Sequence, residues 1–303
     1  MGKTAFVFPG QGAQVVGMGK DFYDTYEVAK NVYDIASKAS GLDVAELCFT
    51  ENDKLNITEY TQIALLTTEV AMLKVISEMG IVPDYCAGLS LGEYGALAAS
   101  EVMSLEALFK IIRQRGIYMQ NAYPVGGAMM AILGLDADTI AKVCEKVDGI
   151  VSIANDNCPG QIVITGEEKA VAAAGEELTK AGAKRCVPLK VSGPFHSKLL
   201  EGAGSQLADD LKNVEINEPK IPYISNVTAD VVNNSSNIKE LLASQVSSPV
   251  RFRESILKLQ ELGVTRVIEI GPGKTLTGFV RKTDKEIEVI NIEKIADLEK
   301  LAQ

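Results

Sequence analysis

The sequence has few of the features that mark secreted, metal-binding or membrane proteins. Its 303 residues contain no uninterrupted apolar run long enough to cross a bilayer. The opening residues MGKTAFVFPGQG lack the apolar core and the small-residue cleavage site of a signal peptide. The five cysteines are widely scattered and form no C-x-x-C pair, so neither a disulfide framework nor a zinc site is indicated. We therefore expect a protein of the reducing cytoplasm that does not enter the membrane.

Two glycine-rich segments fall short of the nucleotide-binding motifs that they resemble. In GPGKTL, a P-loop would need glycine at position 268, where Ile268 stands. In GQGAQVVG, Val15 replaces the last glycine of G-x-G-x-x-G. The net charge of −10 at pH 7 argues against nucleic acid as the main partner. An anionic ligand would therefore need a local basic patch on this acidic chain.

The order of predicted elements indicates an α/β protein of two domains. Strands at 4–8 and 84–88 alternate with helices, of which the longest, at 58–79, is followed by the stop signal Gly80. Residues 126–190 follow the pattern strand, helix, strand, strand, helix, strand, with the second strand predicted at 149–156, and this pattern is typical of a ferredoxin-like unit. We predict a large domain of residues 1–125 and 191–303 with a mostly parallel sheet, and an inserted small domain of residues 126–190.

The stretch CAGLSLGEYGALAA places Ser90 between Gly88 and Gly92. One interpretation is a capping box, S-x-x-E, in which Ser90 and Glu93 satisfy the first amides of a helix. The other is a nucleophilic serine on a tight strand-to-helix turn, where side chains at positions 88 and 92 would collide. The predicted strand before Ser90 and the predicted helix after it supply the context that a nucleophile requires.

The chain contains one histidine, His196, in the segment VSGPFHSKLL. A serine hydroxyl is a weak nucleophile at pH 7 and needs a neighbouring base, which is most often histidine. The alternative is a partly buried histidine that caps the helix starting near Ser197. The Gly-Pro turn would hold the backbone rigidly enough to mount a general base. No acidic residue stands out as the group that orients the imidazole, so a backbone carbonyl is a candidate for that role.

Six motifs along the chain carry a resemblance to one enzyme family. In order they are PGQGAQ, GLSLGEYGAL, RGIYMQ, NDNCPGQIVITG, SGPFHS and QVSSPVRF. Together they resemble the malonyl-CoA:acyl-carrier-protein transacylases of type II fatty-acid synthesis, over nearly the whole chain. That family combines an α/β-hydrolase-like large domain with a ferredoxin-like small domain.

The resemblance implies a transfer of the malonyl group from malonyl-CoA to the phosphopantetheine thiol of acyl carrier protein. The mechanism would be ping-pong through a malonyl-serine intermediate. Malonyl-CoA and acyl carrier protein are thus the implied partners, and no metal or organic cofactor is needed. We further expect a monomer.

The resemblance also implies the catalytic groups. Ser90 would be the nucleophile and His196 its base, with a main-chain carbonyl orienting the histidine, expected to be that of Gln245. The backbone N–H groups of Gln11 and Leu91 would form the oxyanion hole. Leu91 is predicted at a helix N-terminus, where the partial positive charge favours an oxyanion.

The substrate-binding residues that the resemblance implies are Arg115, Met119, Asn155 and Gln245. Arg115 would pair with the free malonyl carboxylate, since a planar guanidinium makes two parallel hydrogen bonds to a carboxylate. Arg113, two positions away on the same predicted helix, would face another direction. Gln161 and Gln62 are weaker candidates for the same pocket.

Leu89 departs from the family pattern, which usually has histidine before the nucleophile. The chemistry should survive this change, because the predicted base is His196. The two anionic partners also demand a basic rim around the site on this acidic chain. The candidates for that rim are Lys184, Arg185, Lys190, Arg251, Arg253, Lys274, Arg281 and Lys282.

Three other functions stay open at this point. A serine esterase or thioesterase would use the same serine and histidine with water in place of the carrier thiol. A discrete polyketide acyltransferase would transfer methylmalonyl or another extender unit. An inactive carrier-binding module would keep the scaffold and form no covalent adduct.

Overall fold

A computed structural model describes residues 2–191 and 193–302, so Ser192, which opens the SGPFHS motif, lies outside the described residues. The strands in these two ranges are β1 (Lys3–Phe8), β2 (Tyr85–Gly88), β3 (Gly127–Leu133), β4 (Val151–Cys158), β5 (Gln161–Glu167), β6 (Arg185–Pro188), β7 (Tyr223–Ile224), β8 (Val231–Val232), β9 (Val264–Ile270) and β10 (Glu288–Ile292). The α-helices are α1 (Lys20–Thr25), α2 (Glu27–Ser40), α3 (Val44–Phe49), α4 (Thr58–Glu78), α5 (Gly92–Ala99), α6 (Leu105–Ala122), α7 (Ala137–Cys144), α8 (Glu168–Lys180), α9 (Glu201–Leu211), α10 (Ile238–Gln245), α11 (Phe252–Glu261) and α12 (Thr275–Thr283). Short 3-10 helices occupy Lys198–Leu200 and Ile295–Ala302.

The larger sheet has six strands in the order β10-β9-β1-β2-β7-β8. Its neighbouring strands are parallel except for the β7–β8 pair, which is antiparallel. In β1, residues 5–8 are all fully buried, as expected of a central parallel strand covered on both faces. The mostly parallel α/β sheet predicted from the sequence is therefore confirmed.

Three sequence motifs meet at one edge of this sheet because parallel strands end on the same side. The PGQG loop follows β1, the turn containing Ser90 follows β2, and the GPGK loop follows β9. The carboxyl edge of a parallel sheet is where open α/β folds place their ligand sites. The fold therefore brings together loops that are separated by about 260 residues in the chain.

The second sheet is antiparallel, with strand order β4-β5-β3-β6 and the helices α7 and α8 in its connections. This arrangement is consistent with the predicted ferredoxin-like unit. Alternate residues face opposite sides, so Ile132 and Ile164 pack with the helices, whereas Ala131 and Val163 line a cavity next to the larger sheet. The strands lie within residues 126–190, and the division into two domains stays a prediction.

The predicted secondary structure needs two small corrections. The strand predicted to end at Asp156 continues to Cys158, which pairs with Gln161 across a tight turn. Asn and Asp disfavour strands in general, but Asn155 and Asn157 line the cavity rather than a hydrophobic core. The predicted helix at 58–79 ends at Glu78, followed by Gly80 in the left-handed conformation.

In the part of the chain that the structure describes, no helix combines the length and the apolar character required to span a bilayer.

The glycines on both sides of Ser90 are required by close backbone contacts. A Cβ atom on Gly88 would lie 1.9 Å from the carbonyl carbon of Gly92. A Cβ atom on Gly92 would lie 2.0 Å from the carbonyl oxygen of Phe8. Neither neighbour is a flexible side chain that could move away, so helix α5 can approach β1 and β2 this closely only if both positions lack a side chain.

We expect Gly88→Ala to destabilise the protein by about 3 kcal/mol or more, because the added methyl group overlaps backbone atoms. The matched control is Gly202→Ala in α9, where an added Cβ meets no atom within 4 Å. That change should stabilise the protein by roughly 0.5–1 kcal/mol through helix propensity. Thermal and urea unfolding of both variants measure the difference, and equal stability of the two would contradict the packing argument.

Candidate active site

Ser90 occupies the turn between the end of β2 and the start of α5. Its backbone has a φ of 55°, in the left-handed region that non-glycine residues rarely adopt. Such a conformation costs on the order of 1–3 kcal/mol and persists where the surrounding structure enforces it. The backbone N–H of Ser90 donates to the Asn226 Oδ1 atom at 2.7 Å, which holds the turn in place.

The capping-box interpretation of SLGE is wrong. Helix α5 begins at Gly92, its N-cap position is Leu91, and no side chain caps it. The Ser90 hydroxyl instead contacts His196 and Arg115. The Glu93 carboxylate accepts hydrogen bonds from Asn226 and Gln245 rather than from the first turn of its helix.

The structure brings Ser90, His196 and Gln245 into one hydrogen-bonded chain. His196 Nε2 lies 2.7 Å from Ser90 Oγ, and its Nδ1 lies 2.9 Å from the main-chain oxygen of Gln245. Since a carbonyl oxygen can only accept, the proton of the neutral imidazole is on Nδ1, and Nε2 is free to accept from the serine. The carbonyl thus fixes the tautomer that a general base needs.

The backbone of His196 also lies in the left-handed region, with a φ of 60°. Its N–H donates to the Val246 carbonyl at 3.3 Å, so both its backbone and its ring are attached to the C-terminal end of α10. Burial and, second, the positive charge of Arg115 lower the pKa of His196 from 6.5 to about 4. The imidazole is therefore neutral at pH 7, as a base must be before it accepts a proton.

Arg115 is buried beside Ser90, with 1% of its surface exposed. Its Nη2 donates to Ser90 Oγ at 3.1 Å and to Gln245 Oε1 at 2.8 Å, and its Nη1 donates to Gln62 Oε1 at 2.6 Å. Within the described ranges, no carboxylate forms an ion pair with it and its Nε has no hydrogen-bond partner. Burial lowers the pKa of this guanidinium. A buried cation without an adjacent anion is costly, so the site favours an anionic ligand.

Arg113 on the same helix has a different role. It pairs with the Glu59 carboxylate at 3.0 Å, donates to the Glu59 carbonyl oxygen, and stacks over the ring of Tyr60. The two arginines therefore face different surroundings, as their spacing on α6 predicts.

A cavity of about 280 Å³ opens above Ser90 and His196. The predicted site residues that line it are Gln11, Gln62, Ser90, Leu91, Arg115, Met119, Asn155, Gln161 and His196. Leu89 also lines it, which places this departure from the family pattern at the cavity wall. Met119 contacts the Gln62 amide through its sulfur at 3.4 Å. Gln245, which was also predicted to bind substrate, does not line the cavity; its main-chain oxygen and its side-chain amide form hydrogen bonds with other site residues instead.

The two predicted oxyanion-hole residues lie on opposite loops. Gln11 follows β1 and Leu91 precedes α5, and both line the cavity. The Gln11 side chain is held by Thr58 Oγ1 at 3.1 Å. The backbone N–H at the start of α5 carries the partial positive charge of a helix N-terminus, which suits a developing oxyanion.

Two residues of the site, Asn226 and Glu93, were not predicted from the sequence. Asn226 follows β7, accepts from the Ser90 N–H and donates to the Gly88 carbonyl oxygen at 2.7 Å. Asn226 is fully buried. Glu93 was considered only as a partner of the predicted capping box. The signal for Asn226 was its position directly after a strand, at the same sheet edge as Ser90.

The candidate basic rim divides into two groups. Arg251 pairs with Glu254 and Arg253 pairs with Asp156, so their charges are already balanced. The other candidates are exposed: Lys190, Lys274, Arg281 and Lys282 lie within three residues of a cavity-lining residue, whereas Lys184 and Arg185 lie farther along the chain from one. Helix α12 carries the last two and contributes Phe279 to the cavity.

Among residues 2–191 and 193–302, no group of three or more His, Cys, Asp or Glu side chains is placed to hold a metal ion. The expectation that the chain needs neither metal nor organic cofactor stays a prediction.

Comparison with known proteins identifies the family. The model of the acyl transferase domain matches residues 5–300. Malonyl CoA-acyl carrier protein transacylase of Bacillus subtilis (strain 168) is 46% identical over 297 residues, covering 96% of this chain and 94% of that protein. The crystal structure of MCAT from Streptococcus pneumoniae superposes with a TM-score of 0.95 at 48% identity, covering 99% of each chain.

A third similar protein was solved together with a carrier protein. It is the malonyl-transacylase in a complex with its type II PKS acyl-carrier protein, with a TM-score of 0.95 at 38% identity over 98% of each chain. The order of the motifs, the fold and the geometry around Ser90 agree with these similarities. The chain therefore belongs to the acyl transferase family and, within it, to the malonyl CoA-acyl carrier protein transacylases.

Proposed function

We propose that this protein transfers a malonyl group from malonyl-CoA to the phosphopantetheine thiol of acyl carrier protein. The observation that carries the proposal is the buried guanidinium of Arg115, 3.1 Å from Ser90 Oγ and without a carboxylate partner in the described structure. An acyl group with a free carboxylate supplies the missing anion, whereas an acetyl group leaves the charge unpaired. The names of the similar proteins agree with this substrate and this acceptor.

The first half-reaction forms an ester on Ser90. As Oγ attacks the thioester carbonyl carbon, its proton passes to His196 Nε2, 2.7 Å away. The carbonyl oxygen becomes an oxyanion held by the N–H groups of Gln11 and Leu91. When the intermediate collapses, the carbon–sulfur bond breaks and His196 returns the proton to the sulfur of CoA.

The second half-reaction runs the same steps in the opposite direction. The thiol of the carrier gives its proton to His196 and attacks the ester carbonyl carbon, and the carbon–oxygen bond to Ser90 breaks. Ser90 Oγ then takes the proton back from His196. Throughout, the malonyl carboxylate stays paired with Arg115, so the acyl group keeps its position while the thiols exchange.

Three further statements belong to the same proposal. The chain acts in the cytoplasm, as a monomer, and without metal or organic cofactor. The four buried cysteine thiols fit a reducing compartment, and burial raises the pKa of Cys48 to about 12 and that of Cys144 to about 11, which makes these thiols unreactive. The oligomeric state is measured directly by sedimentation or light scattering.

The alternatives differ in what happens to the acyl-enzyme. A thioesterase would release free malonate without carrier protein, a polyketide acyltransferase would prefer another extender unit, and an inactive module would form no adduct. The cavity favours transfer of a short dicarboxylic acyl group, because Arg115 and Ser90 are in direct contact.

We expect Ser90→Ala to abolish the covalent malonyl adduct, because no other described group has His196 within hydrogen-bonding distance as a base. Intact-protein mass after brief exposure to malonyl-CoA measures the adduct, and added carrier protein should remove it. The matched control is Ser205→Ala on the exposed face of α9, which should acylate normally. An adduct on the Ser90→Ala protein would show that the nucleophile is another residue.

We expect Arg115→Ala to reduce the preference for malonyl-CoA over acetyl-CoA by roughly a hundredfold, since it removes the partner of a buried carboxylate. Acylation rates with both thioesters measure the preference. Arg113→Ala on the same helix is the control, because Arg113 pairs with Glu59 and does not line the cavity. An unchanged preference in the Arg115 variant would remove this residue from its assigned role.

The rate of acylation by acetyl-CoA, which lacks the carboxylate that Arg115 is proposed to bind, should be nearly constant between pH 5 and pH 8. The pKa of His196 is lowered to about 4, so the neutral form that accepts the serine proton predominates above that pH and is lost only below it. Single-turnover acylation across this range measures the profile. A decline on acidification with a midpoint near 6.5, the ordinary value for histidine, would show that the base is not shielded in this way.

A further inference from the structure

Glu93 is a fully buried carboxylate that takes no part in the steps above. It lies on the first turn of α5, and its Oε2 accepts from Gln245 Nε2 at 2.6 Å and from the Asn226 backbone N–H at 3.2 Å. Its Oε1 has no hydrogen-bond partner within the described ranges. Burying a carboxylate is costly, and an apolar side chain would fill the same space at lower cost. Its presence therefore calls for a functional reason.

The side chain of Gln245 connects Glu93 to Arg115. Gln245 Nε2 donates to Glu93 and to the Ser90 carbonyl oxygen, while its Oε1 accepts from Arg115 at 2.8 Å. An amide has one donor end and one acceptor end, so a reversed amide would set its N–H groups against the guanidinium N–H groups. An ionised carboxylate only accepts, so Glu93 holds the amide in the orientation that offers its oxygen to Arg115.

The Glu93 carboxylate and the Arg115 guanidinium are separated by the Gln245 amide. A carboxylate in direct contact with Arg115 would occupy the donors that the malonyl carboxylate needs. Glu93 instead lies behind the Gln245 amide, and the charges of Glu93 and Arg115 still attract each other. Arg115 is thereby stabilised in the empty site while its hydrogen bonds go to neutral oxygens of Gln62, Gln245 and Ser90.

We propose that Glu93 is a positioning residue for malonyl selectivity, which acts through the Gln245 amide to hold Arg115 ready for the substrate carboxylate. The inference rests on the function proposed above and assigns no contact with substrate to Glu93. Burial raises the pKa of this carboxyl to about 7, against the lowering effect of its bonds to Gln245 and Asn226, so the ionised form is accessible at neutral pH.

The test compares acylation by malonyl-CoA and by acetyl-CoA on the same preparation of each variant. Glu93→Met keeps the length of the side chain but removes the acceptor, and we expect the malonyl-to-acetyl rate ratio to fall about tenfold, as for loss of one hydrogen bond to a charged group. Glu93→Gln keeps an acceptor oxygen in the same place but removes the charge that attracts Arg115, so its ratio should lie between those of Glu93→Met and the wild type. Because both rates come from one sample, a loss of folded protein cancels from the ratio.

The matched control is Glu69→Met, which removes a second fully buried glutamate on α4 that lies outside the cavity wall. Its ratio should equal that of the wild type, even if its thermal stability changes. If Glu93→Met does not fold, Gln245→Met breaks the same connection from its other end and should lower the ratio to a similar extent. The main-chain oxygen that orients His196 remains in that variant.

Specific outcomes overturn the inference. If whichever of Glu93→Met and Gln245→Met folds has an unchanged malonyl-to-acetyl rate ratio, Arg115 does not need Glu93 to hold its position. A ratio in Glu93→Gln as low as in Glu93→Met would show that the acceptor oxygen is not the important feature. A wild-type protein that forms no malonyl adduct would refute the proposed function and this inference with it, whereas an adduct with unchanged ratios would refute the inference alone.

Discussion

The active site depends on one buried positive charge that has no carboxylate beside it. Arg115 is almost entirely inaccessible, and its hydrogen bonds go to neutral oxygens, two from glutamine side chains and one from Ser90. A charge of this kind is tolerated in a protein interior only if hydrogen bonds or a more distant countercharge compensate its lost hydration. The surrounding residues supply both, and they leave the site with an electrostatic preference for a ligand that brings its own carboxylate.

The parallel sheet is what allows these groups to meet. Strands β1, β2 and β7 are neighbours and end at the same edge, so the residues that follow them converge although they are far apart in the chain. Asn226, after β7, reaches the Ser90 backbone across 136 residues of sequence. The glycines at 88 and 92 then allow α5 to approach the sheet closely enough to hold Ser90 in its left-handed conformation. The position of Ser90 therefore depends on the order of the strands as much as on the local motif.

The difference between local motifs and contacts made through strand order also separates what the sequence could predict from what it could not. The alternation of strands and helices was predictable because hydrophobic periodicity is a local signal, and Ser90 and His196 stood out by motif and by rarity. Glu93 was misassigned because its spacing of three from Ser90 fits a capping box, and nothing local shows that its carboxylate faces Gln245, 152 residues away. Strand β4 was predicted two residues short because Asn157 is polar, although it lines the cavity. Pairings of this kind follow from tertiary topology, which periodicity does not encode.

The use of a main-chain oxygen to orient His196 can be explained by the positive charge of Arg115. In many serine enzymes an aspartate accepts the second imidazole N–H and stabilises the imidazolium. Here an aspartate at the position of the Gln245 carbonyl would place a second anion near Arg115, the residue whose charge already lowers the pKa of His196. In the proposed function, that anion would compete with the substrate carboxylate for the guanidinium and weaken the selection of malonyl over neutral acyl groups. A carbonyl fixes the tautomer without adding a charge, so a weaker base is the consequence of keeping the arginine available for the substrate.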